Sequence, residues 1–436
     1  MFRPYVVAII GCAAAFVAGC SDSSRPTSST PEREAARRAE LPRTLSATER
    51  TVITASNRFG LDLAARVAAA DRRANVILSP LSASMALGMA LNGADGATFD
   101  AIRSALGFDA LSQEQINGSY RDLIDLLTGL DPQVRFEIAN AVWANERVPI
   151  RSTFRDAVAH AFNARAEARD FSDPETLAAI NEWVEQSTRG HIERIVDSLD
   201  PVLAALLVNA IYFDAAWTMQ FDPNDTRRQM FTREDGSVVS IDMMSMQNVE
   251  VRRAGGASYS AIELPYGGEA FSMVIVLPND GIAARDLLAE LDSNEWAALT
   301  GAFRSSKVDL LSMPKLKLTY DTYLNDPLQA MGMDPAFRPG ADFTRMSPVG
   351  AHMCIDFVRQ KTFIDVDERG TRAAAATGVG MGLVSFTSFV VDRPFVFAIR
   401  ERLSDTLLFI GLVSDPTAMD QDAEPHASDC TGATSG

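Results

Sequence analysis

Glu368-Arg369-Gly370-Thr371-Arg372-Ala373-Ala374-Ala375-Ala376-Thr377-Gly378-Val379-Gly380-Met381-Gly382-Leu383-Val384-Ser385 is the stretch whose reading decides the fold. An apolar run, Thr362 to Val366, feeds it, and Phe389-Val390-Val391 and Pro394-Phe395-Val396-Phe397 follow it. About twenty mostly small residues thus hang between two buried strands, and loops of that length inside a compact domain are functional or disordered. Taken every second residue, the stretch reads Thr371, Ala373, Ala375, Thr377, Val379, Met381, Leu383 on one face. The other face reads Arg372, Ala374, Ala376, Gly378, Gly380, Gly382, Val384. That period of two is the pattern of a half-buried strand. Glycine and alanine are nevertheless poor strand formers. The residues fit a segment that is a loop in one state and a strand in another, with a flexible Gly/Ala linker as the plainer alternative.

Around this stretch the chain is acidic, with 40 basic and 57 acidic side chains among 436 residues and a net charge of −17. Phosphate binding needs concentrated Lys and Arg, so a nucleic-acid partner is disfavoured. The N-terminus is a secretion signal: Arg3, then the apolar run Val6 to Val17, then Val17-Ala18-Gly19-Cys20. A Cys directly after Ala-Gly resembles the bacterial lipobox, which implies cleavage before Cys20 and lipidation of its thiol. Ser21 to about Ser46 is rich in Ser, Pro, Thr, Arg and Glu and reads as a tether. The expected organisation is a lipoprotein signal over 1–19, a flexible tether over 20–46, one folded domain over 47–416 and a disordered acidic tail over 417–436. Cys12 leaves with the signal, Cys354 sits in an apolar run as a buried thiol, and a Cys354–Cys430 bridge is an open alternative.

Helical patterning dominates the first half, at 57–64, 82–91 (opened by Ser79-Pro80), 99–106, 113–127, 151–162 and 174–187. Strand-like runs dominate the second half, at 136–144, 205–213, 238–244, 258–264, 271–277, 307–313, 389–400 and 407–413. The fold class is α+β, helices with several antiparallel sheets.

Catalysis finds little footing. His160, His191, His352 and His426 have no partner at metal-ligand or nucleophile spacing. His191, after Gly190 at a helix end, reads as surface decoration. Ser312-Met313-Pro314-Lys315 matches the Ser-x-x-Lys of penicillin-binding enzymes but lies in a strand-like run without the companion motifs. No phosphate loop, metal cluster or dinucleotide fingerprint is present, so no cofactor and no metal is expected. The residues point to a protein that acts by binding or by changing shape.

The chain resembles the serpins, a family of serine-protease inhibitors. The resemblance runs through Asn75-Val76-Ile77-Leu78-Ser79-Pro80-Leu81-Ser82, Ile138-Ala139-Asn140-Ala141, Ile180-Asn181-Glu182-Trp183-Val184 and Thr188-Arg189-Gly190-His191-Ile192. It continues through Leu207-Val208-Asn209-Ala210-Ile211-Tyr212-Phe213 with Trp217, Phe221-Asp222-Pro223, Glu263-Leu264-Pro265-Tyr266, Pro314-Lys315-Leu316-Lys317, Met331-Gly332-Met333, Ala336-Phe337 and Arg393-Pro394-Phe395. It implies about nine helices, three β-sheets and an exposed reactive-centre loop over roughly 368–392. It also implies a monomer that turns nothing over. A protease attacks the loop, forms an acyl-enzyme, and is trapped when the cut loop enters the main sheet; serpin insertion is itself a standard instance of strand addition.

By the same resemblance Glu368, Gly370, Thr371, Ala373, Ala374, Ala375 and Ala376 form the hinge. Counting from Gly370 puts the reactive bond at Val384-Ser385, whereas counting back from Pro394 gives Leu383-Val384. A small apolar residue there suits elastase- or chymotrypsin-like enzymes, not trypsin-like ones, whose pocket needs Lys or Arg. Ser79, Ser82, Asn209, Gln360 and Trp217 match the cluster where the sheet opens. Gln360 stands where the family usually has His, so opening should respond less to pH. Arg372 stands where Glu is frequent, and Asp214-Ala215 replace a usual Lys-Gly. A non-inhibitory binding or carrier protein is the alternative.

Overall fold

The computed structural model describes residues 38–369 and 387–421. Helices and strands alternate in a fixed order: α1 (Ala47–Ala70), β1 (Asn75–Leu78), α2 (Pro80–Gly93), α3 (Gly96–Ala105), α4 (Gln113–Thr128), β2 (Val134–Asn145), α5 (Ser152–Phe162), β3 (Arg165–Arg169), α6 (Pro174–Ser187) and β4 (Ala205–Ala215). Then come β5 (Arg227–Thr232), β6 (Val238–Gly255), β7 (Tyr259–Tyr266), β8 (Phe271–Pro278), α7 (Ala284–Glu290), α8 (Ser293–Ala302), β9 (Arg304–Pro314) and β10 (Leu316–Tyr323). Two single-turn helices, α9 (Asn325–Leu328) and α10 (Asp334–Phe337), lead to β11 (Arg359–Val366), β12 (Ser388–Val390), β13 (Phe395–Glu401), β14 (Thr406–Val413) and β15 (Asp420–Gln421).

Helix α1 starts earlier than its apolar pattern suggests because Ser46 and Glu49 form a reciprocal cap. The Ser46 hydroxyl accepts from the Glu49 N–H at 3.1 Å, and the Glu49 carboxylate accepts from the Ser46 N–H at 2.7 Å. Residues 38–46, expected as tether, pack on the domain. Arg38 donates its backbone N–H to the Gly268 carbonyl and its Nε to the Leu130 carbonyl, both at 2.7 Å, and Leu45 is buried.

Three sheets result, as expected. A nine-stranded sheet runs β1-β14-β13-β8-β7-β6-β9-β12 with β5 on β6, and two three-stranded sheets run β3-β2-β4 and β11-β10-β15. Strands β8, β13 and β14 are buried at every position, and their continuous apolar runs are what a strand covered on both faces requires. At Gly411 a Cβ would lie 2.5 Å from the Phe397 ring, so glycine is what lets that ring cross β14.

Three expectations are corrected. The run 389–400 is two strands rather than one: Pro394 cannot donate to a ladder, and the chain changes neighbours there, β12 lying parallel to β9 and β13 between β8 and β14. The tail expected to be disordered from 417 contributes β15, which pairs in parallel with Thr319 and Tyr320 of β10. Cys354 is disulfide-bonded, not a free thiol, and Cys12, Cys20 and Cys430 all lie outside the described residues. Ser312 is a buried strand residue, which removes the helix-borne Ser-x-x-Lys geometry.

Candidate functional site

Strand β4 is paired on one side only, to β2, and β11 on one side only, to β10. Their free edges face each other across a slot. Its wider part, a cavity of about 300 Å³, is lined by Val208–Ala215 from β4 and Gln360–Val366 from β11. Its narrower foot, about 120 Å³, lies between Ala205–Asn209 and the segment Met353–Lys361. Two strand edges with unpaired N–H and C=O groups form a template for one more strand.

The alternation of each edge gives the slot two faces. On β4, Leu207, Ile211 and Phe213 point to the main core, where Phe213 meets Phe136, Tyr266, Phe271 and Phe409. Leu206 and Val208 point the other way, into a second cluster with Ile180 and Val184 of α6 and with Ile192 and Val196 beyond it. On β11, Gln360, Thr362, Ile364 and Val366 are the buried series, and Phe363 joins the α6 side. The segment after α6 crosses the slot on that side. His191 stacks on Tyr212 of β4 (5.5 Å) and on Phe363 of β11 (4.6 Å), and Asp197 accepts from Arg359 at 2.8 Å. Arg359 also grips the buried Asp321 through two bonds, at 2.9 and 2.7 Å. Burial works against its charge, but the Asp321 carboxylate more than compensates and holds the guanidinium pKa above its ordinary value. His191 is therefore exposed, as expected of a helix-end residue, yet it bridges the two edges.

Of the predicted opening cluster, Ser79, Ser82, Asn209 and Gln360 all line the slot. Gln360 holds the backbone of Ser79 at both ends: its Oε1 accepts from the Ser79 N–H (2.9 Å) and its Nε2 donates to the Ser79 carbonyl (3.0 Å). The Ser79 hydroxyl, N-cap of α2, accepts from the Ser82 N–H and donates to the Leu408 carbonyl. Asn209 is not bonded to these residues; its Nδ2 donates to Asn140 Oδ1 at 2.6 Å. Its Oδ1 and the Thr362 hydroxyl are buried without a partner, which is costly unless something else enters the slot to meet them. Trp217 stands apart, at the slot's mouth. It stacks on Tyr266 at 4.3 Å, its Nε1 donates to the Asp367 carbonyl (2.9 Å), and its backbone N–H donates to the Arg369 carbonyl (3.2 Å).

The mouth also fixes both ends of the segment that opened the sequence reading. At the near end Glu368 accepts from Lys315 Nζ at 2.8 Å and from the Thr226 hydroxyl at 2.6 Å. Burial pushes its carboxyl pKa up, but the Lys315 and Thr226 hydrogen bonds outweigh that and leave it below the usual value. At the far end Thr387 and Asp309 exchange two bonds, Thr387 N–H to Asp309 Oδ2 (2.7 Å) and Asp309 N–H to the Thr387 carbonyl (2.8 Å). Gly370, Thr371, Ala373 to Ala376, Leu383, Val384, Ser385 and Cys20 lie outside the described residues. Sequence reasoning missed Lys315, Thr226, Asp309, Arg359 and Asp197 as members of the site. Among the described residues no group of three or more His, Cys, Asp or Glu could hold a metal, and no helix is long and apolar enough to cross a membrane.

Comparison with known proteins is consistent with this arrangement. The family model described as Serpin (serine protease inhibitor) matches residues 54–416. Neuroserpin of Gallus gallus is 33% identical over 367 residues, spanning 80% of this chain and 88% of the relative. The thermophilic serpin tengpin, solved in its native state, superposes with a TM-score of 0.75 at 28% identity over 87% of this chain and 97% of its own. Human thyroxine-binding globulin does so with 0.77 at 26% identity over 85% of this chain and 100% of its own.

Proposed function

This chain belongs to the serpin family, whose members are inhibitors or binding proteins rather than enzymes, and we propose that it is an irreversible, suicide-substrate inhibitor of serine proteases. The observation that carries this reading is the slot: two unpaired strand edges, with the segment 370–386 tethered at its mouth through Glu368 and Trp217. A protease serine attacks the Val384-Ser385 bond (Leu383-Val384 being one residue away) and forms an acyl-enzyme. The cut segment then enters the slot as a strand, carrying the enzyme with it before water can release it. Completing two ladders and covering Val379, Met381 and Leu383 makes that step downhill; each apolar side chain contributes about 1.5–3 kcal/mol if fully covered. The small residues Gly370 and Ala373 to Ala376 suit rapid entry, because neither face of the slot's upper half has room for bulk. The target is elastase- or chymotrypsin-like, since the residue before the bond is small and apolar.

Mixing the purified chain with pancreatic elastase and with chymotrypsin tests this directly. A complex that survives a denaturing gel is expected; clean cleavage of the segment with no complex overturns it. A binding or carrier role is the second reading, favoured by the likeness to thyroxine-binding globulin, and that second result would support it.

The leader Val17-Ala18-Gly19-Cys20 supports export and a lipid on Cys20 that holds the protein at the cell envelope, with Ser21 favouring the outer membrane. Cys20→Ser should move the protein from the membrane to the soluble fraction.

A further inference from the structure

The bond from the Trp217 N–H to the Arg369 carbonyl joins β4's continuation to the residue at which the described chain stops, and so fixes a register. Strand β4 climbs toward Trp217, and a segment descending from Arg369 into the slot runs antiparallel to it. In an antiparallel ladder each step back along one strand matches one step forward along the other. Ala215 therefore faces Thr371, Asp214 faces Arg372, Phe213 faces Ala373, Tyr212 faces Ala374, Ile211 faces Ala375 and Asn209 faces Thr377.

Three independent features agree with that register. The residues set opposite β4's core-facing Phe213 and Ile211 are alanines, with no charge to bury. Opposite Asn209, whose buried Oδ1 lacks a partner, comes Thr377, a hydroxyl-bearing residue of the inward series able to donate to it. On the α6 side, Ala374, Ala376 and Gly378 come opposite Tyr212, Ala210 and Val208, beneath the cluster where Ile180, Val184 and Ile192 leave little height.

The outward face of the mouth is acidic. Asp214 is exposed and, among the described residues, makes no ion pair; its one hydrogen bond there comes from the Tyr212 hydroxyl at 3.4 Å. Asp367, Asp365 and Asp214 together raise the Arg369 pKa, with Asp367 foremost through its hydrogen bond. Into that field the register brings Arg372. Each member of the pair is a departure from the family resemblance, acid where base is usual and base where acid is usual.

We propose that Asp214 and Arg372 form a cross-strand ion pair only when the segment after Arg369 occupies the slot, so that β4 selects its own strand by a charge order opposite to the common one. The inference rests on the insertion reading and adds to it a residue on each strand that decides which peptide is accepted. The occupant is residues 370–384 of this chain. An acidic residue at position 372 would meet Asp214 as a like charge, and like charges directly opposite destabilise a sheet.

A crossed peptide experiment tests it without any protease. Synthetic peptides of residues 370–384, with the native sequence or with Arg372→Glu, are added to the full chain and to its Asp214→Lys variant, and uptake is followed on native gels. The native protein should take up the native peptide about two- to fivefold faster than the Arg372→Glu peptide, and Asp214→Lys should reverse that order. The same order with both proteins overturns the pair while leaving insertion intact. Failure of either protein to take up any peptide removes the insertion reading and the pair with it.

Discussion

The sheet core β8-β13-β14 and the facing edges β4 and β11 are made of similar strands put to opposite uses. In the first, each strand is hydrogen-bonded on both sides or closed by a neighbour, and every residue is buried. In the second, two strands of comparable length each keep one side unpaired, with a 300 Å³ cavity, an orphaned Asn209 oxygen and an orphaned Thr362 hydroxyl between them. Buried polar groups are normally satisfied. Leaving several unsatisfied in one place, beside a tethered strand-like segment, stores free energy at the place where it can be released. The difference teaches that stability is distributed unevenly on purpose: a closed half holds the molecule together, and an open half does the work.

Three changes would break or sharpen that contrast. The largest effect is expected at Thr371→Arg. The register sets position 371 opposite Ala215 on the core face, and an unpaired guanidinium there costs several kcal/mol. The variant should be cut by protease yet give no gel-stable complex; unchanged inhibition would refute the inward placement of Thr371. Next comes the closed half. Phe397→Ala, wholly buried against Gly411, should cost about 3–5 kcal/mol, whereas Phe363→Ala, half-exposed on the slot's α6 side, should cost less than half as much. Urea midpoints of the two variants read the difference, and equal losses would contradict the two-region picture. The smallest effect is a pH response at the mouth. The Glu368 carboxyl pKa lies below its unfolded value, so its contribution is present above that value, about 4.3, and is lost as pH falls through the folded one. Tryptophan fluorescence, sensitive to Trp217, should report release of the hinge only in acid below about pH 4. Lys315→Met, which removes the main compensating hydrogen bond, should move that release to higher pH; no movement would show that Lys315 does not hold the hinge.

Much of the fold was legible because periodicity and caps are local. Ser79-Pro80 opens α2 and the alternation of 205–213 marks β4, and both stand where the pattern puts them. The misjudged boundaries have local causes too: the Ser46–Glu49 cap was overlooked, and Pro394 splits a run that hydrophobicity alone makes continuous. The site was legible in one half only. Its mobile partner, Gly370 to Ala376, announces itself by composition, and the family resemblance supplied Ser79, Ser82, Asn209 and Gln360. The residues that hold the ends of that segment, Thr226 and Lys315 at one and Asp309 at the other, come from remote parts of the chain. Pairing across such separations leaves no period in the sequence. His191 illustrates the same limit: an exposed helix-end imidazole by sequence, it meets Tyr212 and Phe363 only because the fold brings both edges beneath it. An aromatic Phe363 on the outward side of a strand was the one hint available.

The outer borders of the two small sheets deserve a last comparison with their inner ones. Strand β15 lies along the far side of β10, and β3, the far side of its own sheet, carries Arg165, Glu167 and Arg169 on a charged border. Covered by a strand in one case and by charge in the other, these borders are poor docking sites for a neighbouring molecule. The slot can therefore stay receptive while the rest of the sheet does not invite other chains. In a crowded envelope, a protein poised to accept a strand is protected from accepting the wrong one by geometry at its margins.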